Sequence, residues 1–197
     1  MRSVVVVVLA VGVLLALTAC DETVIDGYEC PPTSPAGIIE SIEVSFNTRD
    51  INDLEECLAG DFTFYFDADE VGEQVGDYTV PESWTRADFL TAVVDIFDCA
   101  YSLDISIATS DIGGPPEGDS TFTAAEVPVE MLVMVEPVNG FIARGTFTFE
   151  FRIEYNEKNK KEWFVTAWQD FTSPGESGGR NVEEASFGEI LVRFLKP

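Results

Sequence analysis

FIARGTFTFEFRIEY, residues 141–155, decides the fold. The odd positions from Phe141 are Phe, Ala, Gly, Phe, Phe, Phe, Ile and Tyr, while the even positions from Arg144 are Arg, Thr, Thr, Glu, Arg and Glu. A period of two with one apolar and one polar face predicts a half-buried antiparallel strand. At about 3.3 Å per residue such a strand would reach about 50 Å. A strand that long has to coil or bend, and Gly145 is the natural bend point. The concave side of the resulting sheet needs an apolar cover, and the flanking sequence supplies its parts.

Just upstream, residues 126–135 place Val127, Val129, Met131, Val133 and Val135 on one face, and Asn139-Gly140 predicts the hairpin turn between the two strands. Downstream, a polar turn at 156–161 leads into a last strand, 162–171. Parity puts Trp163 and Phe171 on one face of that strand and Phe164 and Trp168 on the other, so both faces should be covered. The N-terminal half supplies helices. Ser34-Pro35 opens one, with Ile38, Ile39, Ile42 and Phe46 at helical spacing. Asp50 caps a second, carrying Leu54, Cys57 and Leu58 and closed by Gly60. A short strand, 61–66, turns Phe62, Phe64 and Phe66 to one side. Thr85 and Asp88 form a capping box for a third helix with Phe89, Val93, Ile96 and Phe97 inward and Trp84 stapled over its first turn. Residues 101–109 alternate again, Tyr101, Leu103, Ile105 and Ile107 on one side, and 111–120 read as a surface loop. After a Gly- and Glu-rich connector, Ser186 and Glu189 start a final helix with Phe187, Ile190, Leu191, Phe194 and Leu195 in one stripe. That stripe should cover Phe164 and Trp168 or plug the mouth of the curved sheet.

Helix, helix, short strand, helix, then a long bent sheet is an order that resembles the NTF2-like superfamily, also called SnoaL-like or cystatin-like. The phrases FNTRDINDLEECLAGDFTFYF (46–66), PESWTRADFL (81–90), KEWFVTAWQDFTS (161–173) and SFGEILVRFL (186–195) are similar to those of exported lipoproteins of that type. The resemblance implies an α+β cone, with a curved antiparallel sheet wrapped around the N-terminal helices and a C-terminal helix added. Residues 34–173 would form the cone domain and 174–197 the connector and final helix. Phe64, Phe97, Phe147, Phe149, Phe151 and Gln169 would line the cone. Isomerases of this fold use a carboxylate base with a tyrosine and a protonated Asp. Here the polar groups near a cone are Asp61, Asp170, Tyr65 and Tyr101, weak candidates because no matched acid is visible. Dehydratases of the fold use His with Asp, and this chain has no histidine.

The first nineteen residues are a leader: Arg2, an apolar run, then Leu17-Thr18-Ala19-Cys20. The run is shorter than the roughly 20 residues that span a bilayer. Its ending resembles the bacterial lipobox, which implies cleavage before Cys20 and acylation of that cysteine. Residues 20–33 would then be a flexible tether, and the protein would be exported and held on the cell envelope by lipid. The formal net charge is −25, and loss of Arg2 with the leader makes the mature chain more acidic still. Such a surface repels nucleic-acid phosphates. Export permits disulfides; Cys57 and Cys99 end two predicted helices and could pair, which leaves Cys30 in the tether. No cofactor or metal is expected. Residues 67–78 imitate a calcium loop at Asp67, Asp69 and Gly72 but put Val71 and Tyr78 where ligands are required. Three functions follow as expectations. The first is a non-catalytic, lipid-anchored domain binding a protein partner or a small apolar ligand. The second is an isomerase-like or cyclase-like enzyme acting in the cone. The third is an envelope protein that forms a homodimer through the outer sheet face.

Overall fold

The computed structural model describes residues 33–110, 112–155, 160–173 and 181–195. The leader, Cys20, Cys30 and nearly all of the tether lie outside them, as do 156–159 of the polar turn and 174–180 of the connector. Four helices and nine strands follow in the order α1 (Pro35–Thr48), α2 (Ile51–Cys57), β1 (Leu58–Tyr65), β2 (Gln74–Val75), β3 (Tyr78–Thr79), β4 (Ser83–Thr85), α3 (Arg86–Cys99), β5 (Ser102–Ile107), β6 (Thr121–Glu136), β7 (Asn139–Tyr155), β8 (Lys161–Ser173), β9 (Val182–Glu184) and α4 (Phe187–Phe194).

The helix starts are those the caps dictate. Ser34 accepts from the Gly37 N–H, Asp50 from Asn52 and Asp53, and Thr85 and Asp88 close a reciprocal box. Ser41 and Ser45, buried in α1, donate to the carbonyls of Gly37 and Ser41 one turn back, so neither hydroxyl is orphaned. Gly60 does not end α2. That helix stops at Cys57, and Gly60 lies inside β1.

The main sheet runs β4-β1-β8-β7-β6-β5, with β1 and β8 parallel and the other pairs along that path antiparallel. β7 is its spine, and β9 adds a short parallel piece along Gly140, Phe141 and Ile142. Ala143, Phe147, Phe149 and Phe151 of β7 are buried on the concave side. Gly145 has φ +152°, and a Cβ there would stand 2.6 Å from the Phe171 carbonyl oxygen and 2.7 Å from the Thr172 Cα. Position 145 thus requires glycine on two counts.

Three strand features differ from simple parity. The turn between β6 and β7 is Pro137-Val138, because Glu136 already pairs with Asn139. Gly140 belongs to the strand, where a Cβ would run into the Val133 carbonyl. β6 starts at Thr121, five residues before the regular alternation, because an irregularity between Ala124 and Val127, with Glu126 at φ +54°, re-phases it. A second shift before Glu136 turns Val135 outward, leaving it 37% exposed. In β8, Glu150 pairs with Ala167 and Phe151 with Val165, so Thr166 is the extra residue. That bulge brings Trp163 and Trp168 to the same side. It also sends Phe171 to the convex face, 42% exposed, rather than under a cover.

α1 packs beside β5 and closes the sheet's outer edge. The Asn47 side chain takes the Ile105 N–H and donates to the Ile105 carbonyl, at 2.8 and 2.9 Å, and Glu43 Oε2 accepts the Ile107 N–H at 2.7 Å. α3 packs against β1, β4 and α4. The bent sheet and its helices make the expected cone, and among the described residues no helix is long and apolar enough to cross a membrane.

Candidate functional site

The concave interior is an aromatic core. Trp168 is fully buried at its centre, with Phe147, Phe149 and Phe89 rings 4.8, 4.9 and 5.4 Å away. The last occupant comes from the far end of the chain. Phe187, at the start of α4, stacks on Trp168 at 5.2 Å with 12° between the ring planes. Phe46 and Phe64 close on the same ring of Phe187 at 6.0 and 5.8 Å. α4 therefore fills the cone, covering Trp168 but not Phe164, which is only half-buried. Phe64, Phe97, Phe147, Phe149 and Phe151 all line this interior. Gln169 does not. The Thr166 bulge puts it on the convex face beside Tyr65 and Thr148.

A carboxylate sits inside the cone. Asp170, opposite Phe147 on β8, is fully buried. Its Oδ1 accepts from the Thr172 N–H at 2.8 Å and the Thr172 hydroxyl at 2.6 Å, and its Oδ2 accepts the Gly188 N–H at 2.7 Å. The Thr172 oxygen in turn accepts the Phe187 N–H at 2.6 Å. Desolvation pushes the Asp170 carboxyl up to about 6 against these hydrogen bonds. At neutral pH it is an anion on the N-terminal turn of α4, where backbone N–H groups and the helix dipole favour negative charge. A general base needs a substrate proton within reach. Here the bonding capacity of Asp170 is directed at α4 and Thr172.

The other sequence candidates are scattered. Asp61 is on the surface, its side chain 64% exposed and bound by both terminal nitrogens of Arg152 at 2.9 and 3.0 Å. The hydrogen bond from Arg152 holds its pKa below the usual carboxylate range. Tyr65 is exposed on the convex face, and Tyr101 is 63% exposed ahead of β5. No tyrosine is bonded to Asp170 among the described residues. Cys57 is buried and Cys99 exposed, and no disulfide joins them. Thr172, Glu70 and Gly188, which complete the Asp170 environment, carried no sequence signal except the Ser186 cap. That cap is half a box: Ser186 accepts the Glu189 N–H at 2.9 Å, while the Glu189 carboxylate turns to Arg193.

Open space lies elsewhere. A cleft of about 820 Å³ separates the β2–β3 hairpin from α4 and the tip of β6–β7. Val75, Tyr78, Val135, Phe141, Phe194 and Leu195 give it an apolar floor. Arg193 stands at its rim, 5.0 Å over the Phe141 ring, neutralised by Glu183 and Glu189. A second cleft of about 720 Å³, beside β4 and the start of α3, mixes Phe62, Trp84 and Leu90 with the charged side chains of Glu55, Asp61, Arg86 and Asp88. The first has the size and lining of a small-molecule site.

No protein-family model and no curated protein matches the chain. Solved structures do. A conserved protein from Planctomyces limnophilus is similar over 70% of this chain and 92% of its own, at 14% identity and TM-score 0.52. An NTF2-like protein of unknown function in nutrient uptake from Rhodospirillum rubrum covers 68% and 93%, at 18% identity and TM-score 0.47. A hexachlorocyclohexane dehydrochlorinase from Novosphingobium barchaimii covers 69% and 82%, at 10% identity and TM-score 0.47. At such identities likeness extends to fold and no further. The chain shares its fold, a bent antiparallel sheet packed on α1 and α3, with the Planctomyces limnophilus protein.

Proposed function

We propose that the protein is a lipid-anchored binding domain of the cell envelope, without chemistry of its own, which takes a small apolar ligand or an apolar segment of a partner in the cleft between β2–β3 and α4. One observation carries this reading. The cone interior, where an isomerase-like or cyclase-like reaction would occur, is filled by Phe187 and α4, while the cleft beside α4 offers an accessible concavity with an apolar floor. The enzymatic alternative would need substrate to reach Asp170 past that packing. A convex-face homodimer would rest on Tyr65 and Phe171, the large apolar side chains that β1 and β8 leave exposed, and is the weaker reading.

The neutral dye N-phenyl-1-naphthylamine tests the cleft. It should bind the full chain with a fluorescence rise. Val135→Asp should weaken binding about tenfold, since an ionised carboxylate resists transfer to an apolar floor, with little change in melting temperature because Val135 is already partly exposed. Absence of binding, or binding untouched by the substitution, would refute the assignment. The anchor is tested separately. Cells expressing the protein should incorporate labelled palmitate into it, and Cys20→Ser should abolish the label and release the chain from the membrane fraction. Labelling that survives Cys20→Ser would place the lipid elsewhere.

A further inference from the structure

The cleft beside α4 has acidic walls. Residues 67–82, which carry β2 and β3, hold six acidic residues and no Lys or Arg. Asp77, in the turn of that hairpin, lines the cleft. On the other wall, residues 181–195 hold Glu183, Glu184 and Glu189 against one basic residue, Arg193. Aromatic rings stand between these charges. Tyr78 is pinned by the Trp84 Nε1–H, which donates to its hydroxyl at 2.9 Å. Phe141 and Phe194 meet edge to face at 6.3 Å. The chain already seats one cation here: the Arg193 guanidinium lies 5.0 Å over the Phe141 ring, held by Glu183 at 2.8 Å and Glu189 at 2.6 Å. Its charge is balanced by carboxylates of the chain itself.

We infer that the cleft takes a small cationic amphiphile, an alkyl- or arylammonium whose apolar body lies on Val75, Val135 and Leu195 and whose head sits among the aromatic faces between Asp77 and Glu189. The inference rests on the cleft being a ligand site, as proposed above, and adds the charge of what it takes. An ammonium is drawn to the negative face of an aromatic ring, most strongly where water is partly excluded. Walls of one charge sign focus the field in a cleft and raise the local concentration of the opposite ion. The same field opposes a fatty acid. Its carboxylate would lie beside Asp77 and Glu189, and Arg193, the basic group among the described lining residues, is already doubly paired. A basic peptide would meet the same charges, but a volume of about 820 Å³ is that of a small-molecule site.

Displacement of bound N-phenyl-1-naphthylamine from the full chain tests this with decyltrimethylammonium, decanol and decanoate, each below its micelle concentration. In about 20 mM salt the ammonium should displace the dye at a concentration about tenfold lower than decanoate, with decanol between them. Raising the salt to about 0.5 M should shrink that ratio severalfold. Asp77→Asn, at a turn position that asparagine suits, should reduce it about two- to threefold. Asp119→Asn removes the same charge from an exposed site at the other end of β6 and should leave it unchanged. Absence of dye binding would refute the ligand-site reading and the inference with it. Dye binding with equal displacement by decanoate, or a cation preference that Asp77→Asn leaves intact or that Asp119→Asn lowers as much, would overturn the inference alone. So would displacement by an amphipathic Lys–Leu peptide but not by decyltrimethylammonium, which would give the cleft to a partner segment.

Discussion

Phe187→Ala is expected to remove about 3–5 kcal/mol of stability. Equilibrium urea unfolding measures it. The Phe187 ring is fully buried and touches Trp168 face to face, and Phe147 lies 5.1 Å away on its flank. Its neighbours come from β7, β8, β1 and α1, which are fixed by their own hydrogen bonds and cannot collapse into the space. The cavity would therefore persist, and the cost would include its walls as well as the lost transfer energy. Against a typical net stability of about 5–15 kcal/mol, this leaves a marginal protein. Phe171→Ala is the contrast: the same residue type on the convex face, partly in water, should cost well under half as much. A Phe187→Ala loss below about 1 kcal/mol would mean that α4 is not part of the core.

Gly145→Ala should be comparably severe, about 3 kcal/mol or more. The added methyl would meet backbone, not a movable side chain: the Phe171 carbonyl and the Thr172 Cα both lie under 3 Å from it. Relief requires separating β7 from β8 where Gly145 faces Thr172, two residues from Asp170. The damage should thus reach the α4 anchor and appear as a loss of near-UV circular dichroism from Trp168 as well as a lower melting temperature. Gly60→Ala is the control. It also lies in a strand, but its Cβ would meet nothing within 4 Å, so it should be near neutral. Equal effects at the two positions would refute the account.

The sequence made the spine legible because β7 alternates without interruption where it matters: a polar residue in place of Phe147, Phe149 or Phe151 would have broken the pattern. Caps at Ser34, Asp50, Thr85 and Ser186 were equally readable, being local hydrogen bonds between residues two or three apart. Bulges were not readable. Thr166 looks like any strand residue, yet it reverses the facing of everything after it, which is why Gln169 left the expected lining and Asp170 entered the core. The turn at Pro137-Val138 was hidden by the stronger Asn-Gly signal two residues on. That signal is instead explained by the close approach of Gly140 to Val133. The cluster around Asp170 was invisible for another reason: Glu70, Thr172 and Gly188 meet only through the fold, and no spacing encodes it.

The contacts of Asn47 and Glu43 with β5 have a consequence for how the protein behaves in company. A sheet ends in rows of bare N–H and C=O groups that can recruit a strand from any neighbour. At one end of this sheet, α1 spends two polar side chains on those groups at Ile105 and Ile107. At the other end, β4 is only three residues long. Both features shorten the borders as templates, and a net charge of −25 keeps like molecules apart. Proteins fixed side by side at high density should therefore remain separate, and Asn47→Ala should first show itself as concentration-dependent fibre formation rather than as a lower melting temperature.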